Sequence, residues 1–146
     1  MAGDPPEASP MRVVLAADGT RGDPQPLIEL GARLRAAGQD ALVCGPPDFT
    51  AQALARGVAF RSLGPSVRDF LITRADQLGR HPMALITEAV RHIRQQISAR
   101  LADLIEITRG ADLVVGGGPE FAASSAAERN GVTYRYVAYC PAMFPS

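Results

Sequence analysis

Residues 11–26 read MRVVLAADGTRGDPQP, and the order of residue types in this stretch sets the fold. Arg12 to Ala16 (RVVLA) is a short apolar run bounded by polar residues, the pattern of a strand buried on both faces. The loop Ala17 to Asp23 follows, with Gly19 and Gly22 in it. Pro24 then opens a helix that runs to about Ala37, with Leu27, Leu30, Gly31 and Leu34 on one face at helical spacing. Gly38 is placed to end this helix, and Arg33 and Arg35 in its last turn suit the negative end of the helix dipole. Strand, glycine-containing loop and helix together are the first half of a βαβ unit.

The same alternation continues outward from this unit. Asp40 to Cys44 (DALVC) reads as a second strand, broken by Gly45, Pro46 and Pro47. A short helix is expected around Phe49 to Arg56, ending at Gly57, and Val58 to Leu63 alternates like an edge strand. Gly64 to His81 has no sustained period and reads as a long loop with helical pieces, a length that in compact domains is usually functional or mobile. From Pro82 to about Thr108, Ile86, Val90, Ile93, Ile97, Leu101 and Leu104 step by three or four, an amphipathic helix. Arg91, Arg94 and Arg100 are read as its solvated face. Ala111 to Val115 (ADLVV) is a fourth strand, and Gly116 to Pro119 leads into a helix over Glu120 to Arg129 capped by Asn130 and Gly131. Val132 to Tyr139 is a fifth strand. Residues 1–10 carry Asp4 and Glu7 and no apolar core, and are expected to be a disordered leader rather than a signal peptide.

Five such strands with right-handed crossovers predict an α/β fold, a doubly wound, Rossmann-like parallel sheet in the order 3-2-1-4-5. In that order the second and fifth strands lie three spacings apart, roughly 14 Å at about 4.8 Å each. A disulfide needs Cα atoms within about 7 Å, so Cys44 and Cys140 are not expected to pair.

Bulk composition narrows the function. The 146 residues suit one domain, and 15 basic against 15 acidic residues leave no basic field for nucleic acid. No apolar run reaches the roughly 18 residues needed to span a bilayer, so a cytoplasmic protein is expected. Two cysteines and two histidines, His81 and His92, do not come at metal-ligand spacing, and no metal site is expected.

Ligands of open α/β sheets bind at the carboxyl ends of the strands where the strand order reverses, here between strands one and four. That point gathers Asp18-Gly19-Thr20-Arg21-Gly22-Asp23 and Gly116-Gly117-Gly118-Pro119-Glu120. Neither loop carries the G-x-G-x-x-G dinucleotide fingerprint or the Gly-Lys-Ser/Thr of a P-loop. Asp23 before Pro24 is a good helix N-cap; the same carboxylate at the crevice can serve as a general base, and the two readings are compatible. Asp18 is a second candidate, with loop capping as its commoner role. His81 before Pro82 is a candidate to face the crevice from the long loop, with a surface histidine as the commoner reading. Tyr134, Tyr136 and Tyr139 read as packing residues of strand five. A flavodoxin-like regulatory or nucleotide-binding domain shares the same topology.

Residues 11–26 closely resemble the opening of the bacterial glycosyltransferases that decorate glycopeptide antibiotics, and of the sterol glucosyltransferases: strand, Gly-Ser/Thr-Arg-Gly-Asp loop, Pro-Leu helix start. The resemblance continues through Gly38, Cys44-Gly45-Pro46-Pro47, Gly57-Val58, Leu63-Gly64-Pro65 and the Tyr-x-x-x-x-Cys-Pro-x-x-x-Pro-Ser ending. It implies the N-terminal, acceptor-binding domain of a two-domain GT-B enzyme, over residues 11–146, with the donor domain and the last strands of its own domain absent. It also implies metal-independent, inverting transfer of a hexose from a nucleotide-diphosphate sugar, as co-substrate, to a hydroxyl of a lipid, sterol or natural product, with no further cofactor. By position in the motif, Asp23 matches the family's proposed base and Thr20 the hydroxyl residue near the sugar or its phosphates. Asp18, Gly19, Gly22, His81 and Gly117 are the further substrate-binding candidates. The implied partners are a small-molecule acceptor and a donor-domain chain, or a second copy paired through residues 132–146; nucleic acid and a membrane span are not. The competing expectation is a non-catalytic remnant that binds an apolar ligand or a protein.

Overall fold

The computed structural model describes residues 9–66, 68–69 and 96–139. His81, His92, Arg91, Arg94, Cys140, the first part of the long helix and most of the loop before it lie outside the described residues. Five parallel strands form one sheet in the order β3-β2-β1-β4-β5, as the alternation of elements predicts. They are β1 (Arg12–Ala17), β2 (Asp40–Gly45), β3 (Ala59–Ser62), β4 (Leu113–Gly117) and β5 (Thr133–Val137). Helix α1 (Pro24–Ala36) joins β1 to β2, and a single 3-10 turn with α2 (Thr50–Ala55) joins β2 to β3. Residues 96–108 form α3, and α4 (Ala122–Asn130) joins β4 to β5.

The centre of the sheet is buried on both sides because the strand period of two sends successive residues to opposite faces. Val13, Leu15 and Ala17 of β1 pack with Leu27 and Ile28 of α1, whereas Val14 and Ala16 pack with Leu104 and Ile107 of α3 and the alanines of α4. Each of these β1 residues is at most 2% exposed. That is why the run reads as continuously apolar rather than alternating. Cys44 lies in the α3/α4 layer with no exposure, and burial pushes its thiol up to about 12, the environment of an inert cysteine.

Helix α1 sits close to the sheet because Gly31 has no side chain. A Cβ there would come 2.9 Å from Val43 Cγ2, 3.0 Å from Val58 Cγ1 and 3.2 Å from Leu15 Cδ1. Alanine in a helix interior is ordinarily worth about 1 kcal/mol over glycine. Here the clash with three branched side chains outweighs that gain, since overpacking a filled core typically costs about 1–3 kcal/mol. Gly31→Ala is therefore expected to lower stability by about 1 kcal/mol in a urea titration; a rise in midpoint would mean that the helix lifts freely from the sheet.

Two elements differ from the pattern read in the sequence. β4 extends through Gly116 and Gly117, which pair with Ala16 and Ala17 of β1 and with Tyr136 and Val137 of β5. Glycines suggest a loop, but here they are strand residues whose missing side chains leave room for Tyr134 of β5 and Tyr139 just after it. A Cβ on Gly116 would run into the Tyr134 hydroxyl, and one on Gly117 into that of Tyr139. In α3 the buried stripe is Arg100, Leu104, Ile107 and Thr108, while Ile97 is 49% exposed. Arg100, assigned above to the solvated face, is 8% exposed. Its position four residues before Leu104 places it on the core side, and ion pairing makes that burial tolerable.

Candidate functional site

The loops after β1 and β4 meet at the carboxyl edge of the sheet, and the Asp23 carboxylate lies between them. The backbone N–H of Thr20 donates to Asp23 Oδ2 at 3.1 Å, and the Asp23 N–H donates to the Thr20 carbonyl at 2.9 Å. These two bonds close a four-residue turn over Thr20 to Asp23. Both walls of the recess are glycine. A Cβ on Gly19 would stand 2.5 Å from Asp23 Oδ2, and one on Gly118 would stand 2.5 Å from Oδ1. Both glycines also have positive φ, +96° and +66°, so their turns favour the residue that leaves the recess open.

Asp23 precedes α1 but its side chain makes no capping bond. The capping reading is thus corrected. The residue has φ −93° and ψ −52°, helical values rather than the extended ones a capping side chain uses. The Gln25 N–H bonds the Arg21 carbonyl instead, at 3.3 Å. With the helix start served by backbone, the carboxylate turns back into the recess. Burial raises its pKa, the Thr20 N–H opposes that, and the negative charge of Asp18 adds to it. Tyr139 lies nearby, its buried hydroxyl without a hydrogen-bond partner among the described residues and pushed up to about 12 by burial, then by Asp23 and Tyr136.

Asp18 Oδ1 accepts the Gly19 N–H at 2.8 Å, and its Oδ2 is 3.9 Å from Arg100 Nε. The Arg100 guanidinium closes the floor beneath this loop. It donates to Glu120 Oε2 at 2.6 Å from Nε, to the Ala17 carbonyl at 2.6 Å from Nη2 and to the Leu63 carbonyl at 3.3 Å from Nη1. Glu120, 2% exposed, accepts the Ala122 and Ala123 N–H groups at 2.9 and 3.1 Å on its other oxygen. It thereby satisfies the free donors at the start of α4. A cavity of about 160 Å³ opens beside the pair, lined by Asp18, Gly64, Pro65, Gln96, Ile97 and Arg100.

The sequence-based candidates are thus partly assembled. Asp18, Gly19, Thr20 and Asp23 share one loop at the crevice, with Thr20 exposed. Gly22 faces away, on a hollow of about 530 Å³ between α1 and α2 that is also lined by Glu29 and Arg56. Gly117 is buried against Tyr139. His81 lies outside the described residues. Gly118 and Glu120 belong to the second crevice loop read from the sequence but were given no role there, and Arg100 was missed. The helical spacing of Arg100 with Leu104 and Ile107 was the available signal for it; nothing local marks Glu120. Among the described residues, no three His, Cys, Asp or Glu side chains gather as a metal ion would require. No described helix is long and apolar enough to cross a membrane.

Solved glycosyltransferases share this fold. The calicheamicin glycosyltransferase CalG4 superposes with a TM-score of 0.68 at 19% identity, over 88% of this chain and 32% of that one. In sequence the chain resembles the glycopeptide-antibiotic glycosyltransferases. It is 34% identical over 139 residues to the vancomycin aglycone glucosyltransferase of Amycolatopsis orientalis. It is also 34% identical over 142 residues to the dTDP-epi-vancosaminyltransferase of the same organism. Each alignment takes in 93% of this chain, and the chain spans about a third of the length of these relatives. No protein-family model matches the chain.

Proposed function

We propose that this chain is the acceptor-holding part of an inverting glycosyltransferase, with Asp23 as the general base. The observation that carries the reading is the Asp23 carboxylate, free of capping duty and recessed between two glycine turns at the strand-order reversal. In the proposed step the Asp23 carboxylate takes the proton of an acceptor hydroxyl as its oxygen attacks the anomeric carbon of a nucleotide-diphosphate sugar. The bond from that carbon to the diphosphate breaks, the nucleoside diphosphate leaves with the electron pair, and the configuration inverts. The step uses no metal. A carboxylate whose proton affinity is raised by burial is a stronger base than one in water. Thr20 is the proposed residue on the donor side, a reading its exposure supports. A hydroxylated natural product, sterol or lipid is the proposed acceptor, and a second domain, on this polypeptide or another, presents the sugar nucleotide.

Acceptor binding is testable without transfer. An NMR titration of the chain with a glycopeptide aglycone, and separately with a sterol in detergent, is expected to shift amides of residues 18–23, 64–66 and 116–121. Shifts confined to the opposite edge, at Met11, Asp40 and Ala111, would overturn the placement.

A further inference from the structure

The buried pair under the loop asks for an explanation beyond stability. Taking two charges out of water is costly, and apolar residues of similar volume often hold such a place as well or better. Here, moreover, the guanidinium is shared among four groups. It holds the carbonyls that end β1 and follow β3, stands against the Asp18 carboxylate, and is itself held by Glu120. Ala17 and Asp18 are consecutive residues, so one cation grips both the carbonyl and the side chain at the root of the loop that ends in Asp23. Glu120 in turn is fixed by two N–H groups of α4, so the grip refers the loop to the helix after β4. Gly118 precedes that helix and forms the other wall of the Asp23 recess.

We infer that Arg100 and Glu120 are a positioning pair for the carboxylate site: the guanidinium fixes the root of the Asp18–Asp23 loop and offsets the Asp18 charge that Asp23 feels. The inference rests on the reading of Asp23 as the base. The groups around Asp23 are Asp18, Gly19 and the Thr20 N–H on its own loop, Gly118 from the turn after β4, and Tyr139 beyond β5. Of these Asp18 alone is an anion, and Arg100 is the cation at its side. Removing the guanidinium leaves the Asp18 charge uncompensated, which favours the protonated form of Asp23, and frees the root of the loop that carries the Thr20 N–H.

The test uses the 146-residue chain, labelled for NMR, with no donor or acceptor present. The Asp23 carboxyl carbon and the Thr20 amide are followed through a pH titration in the parent, in Arg100→Lys and in Arg100→Met/Glu120→Gln. The double variant leaves no buried charge unpaired, so a purely structural role is largely repaired in it. The Asp23 midpoint is expected to rise by on the order of half a pH unit in the double variant, with the Thr20 amide moving and Arg100→Lys falling between. A folded double variant with both signals as in the parent would overturn the inference. If the double variant does not fold, Arg100→Lys decides, and an unchanged Asp23 midpoint there overturns it. Transfer plays no part in the readout, so a failure of the base reading appears separately, in the activity of Asp23→Asn.

Discussion

Asp23→Asn is expected to abolish most sugar transfer, by about a hundred- to ten-thousand-fold in kcat, while the chain stays folded with near-parental stability. The assay pairs the chain with a donor-binding domain from one of its relatives. The amide oxygen of asparagine can accept the Thr20 N–H that the carboxylate accepts now, and no capping bond to α1 is lost because none is made. What asparagine cannot do is take the acceptor's proton. Asp23→Ala should lose the Thr20 bond as well, at about 1 kcal/mol. The pH profile gives the same argument a sign. The base works ionised, so transfer falls as pH drops through the Asp23 pKa, which burial and Asp18 raise from its ordinary value. Asp18→Asn removes one of those causes and should move the acid limb to lower pH. Transfer by Asp23→Asn at close to the parental rate would send the search for the base elsewhere in the crevice.

The largest loss of stability is expected from Arg100→Met. It strands the Glu120 carboxylate in a site where its side chain has no exposure. Breaking one side of a buried ion pair typically costs about 3–5 kcal/mol. The two amides of α4 that remain on Glu120 place the cost toward the lower end. Adding Glu120→Gln should recover a good part of it, since the stranded charge rather than the lost attraction dominates. Urea unfolding of the single and double variants measures both numbers. A single variant within about 1 kcal/mol of the parent would mean that water reaches Glu120.

Most of the sheet was legible because the sequence repeats one arrangement. Apolar runs such as Arg12 to Ala16 and Asp40 to Cys44 end in breakers, and helical periods follow them, so order and direction come from general rules of chain connection. The crevice loop was legible through its glycines and Asp23. Two kinds of feature were not. The direction in which the Asp23 side chain turns depends on backbone angles at the start of α1, and an Asp-Pro pair reads as a cap whichever way it turns. The Arg100–Glu120 pair joins residues 20 positions apart in sequence across the end of the sheet. An arginine within an amphipathic helix is assigned to water unless its partner is known. Gly116 and Gly117 misled for a similar reason: glycine marks a loop until the tyrosines that need its vacant volume are placed beside it.

Those two glycines bear on how β5 finds its place. Among the described residues β5 stands at the edge of the sheet, its residues exposed or only half-buried, and a strand without a strongly apolar face is weakly held against sliding. Gly116 and Gly117 act as a keyway for it. They are the consecutive positions of β4 that leave empty volume, and the hydroxyls of Tyr134 and Tyr139 occupy it from opposite faces of the sheet. A shift by one residue would turn both rings to the wrong face, and a shift by two would drive one of them against a side chain. The alignment of β5 is thus gauged by shape at Tyr134 and at Tyr139 just after it.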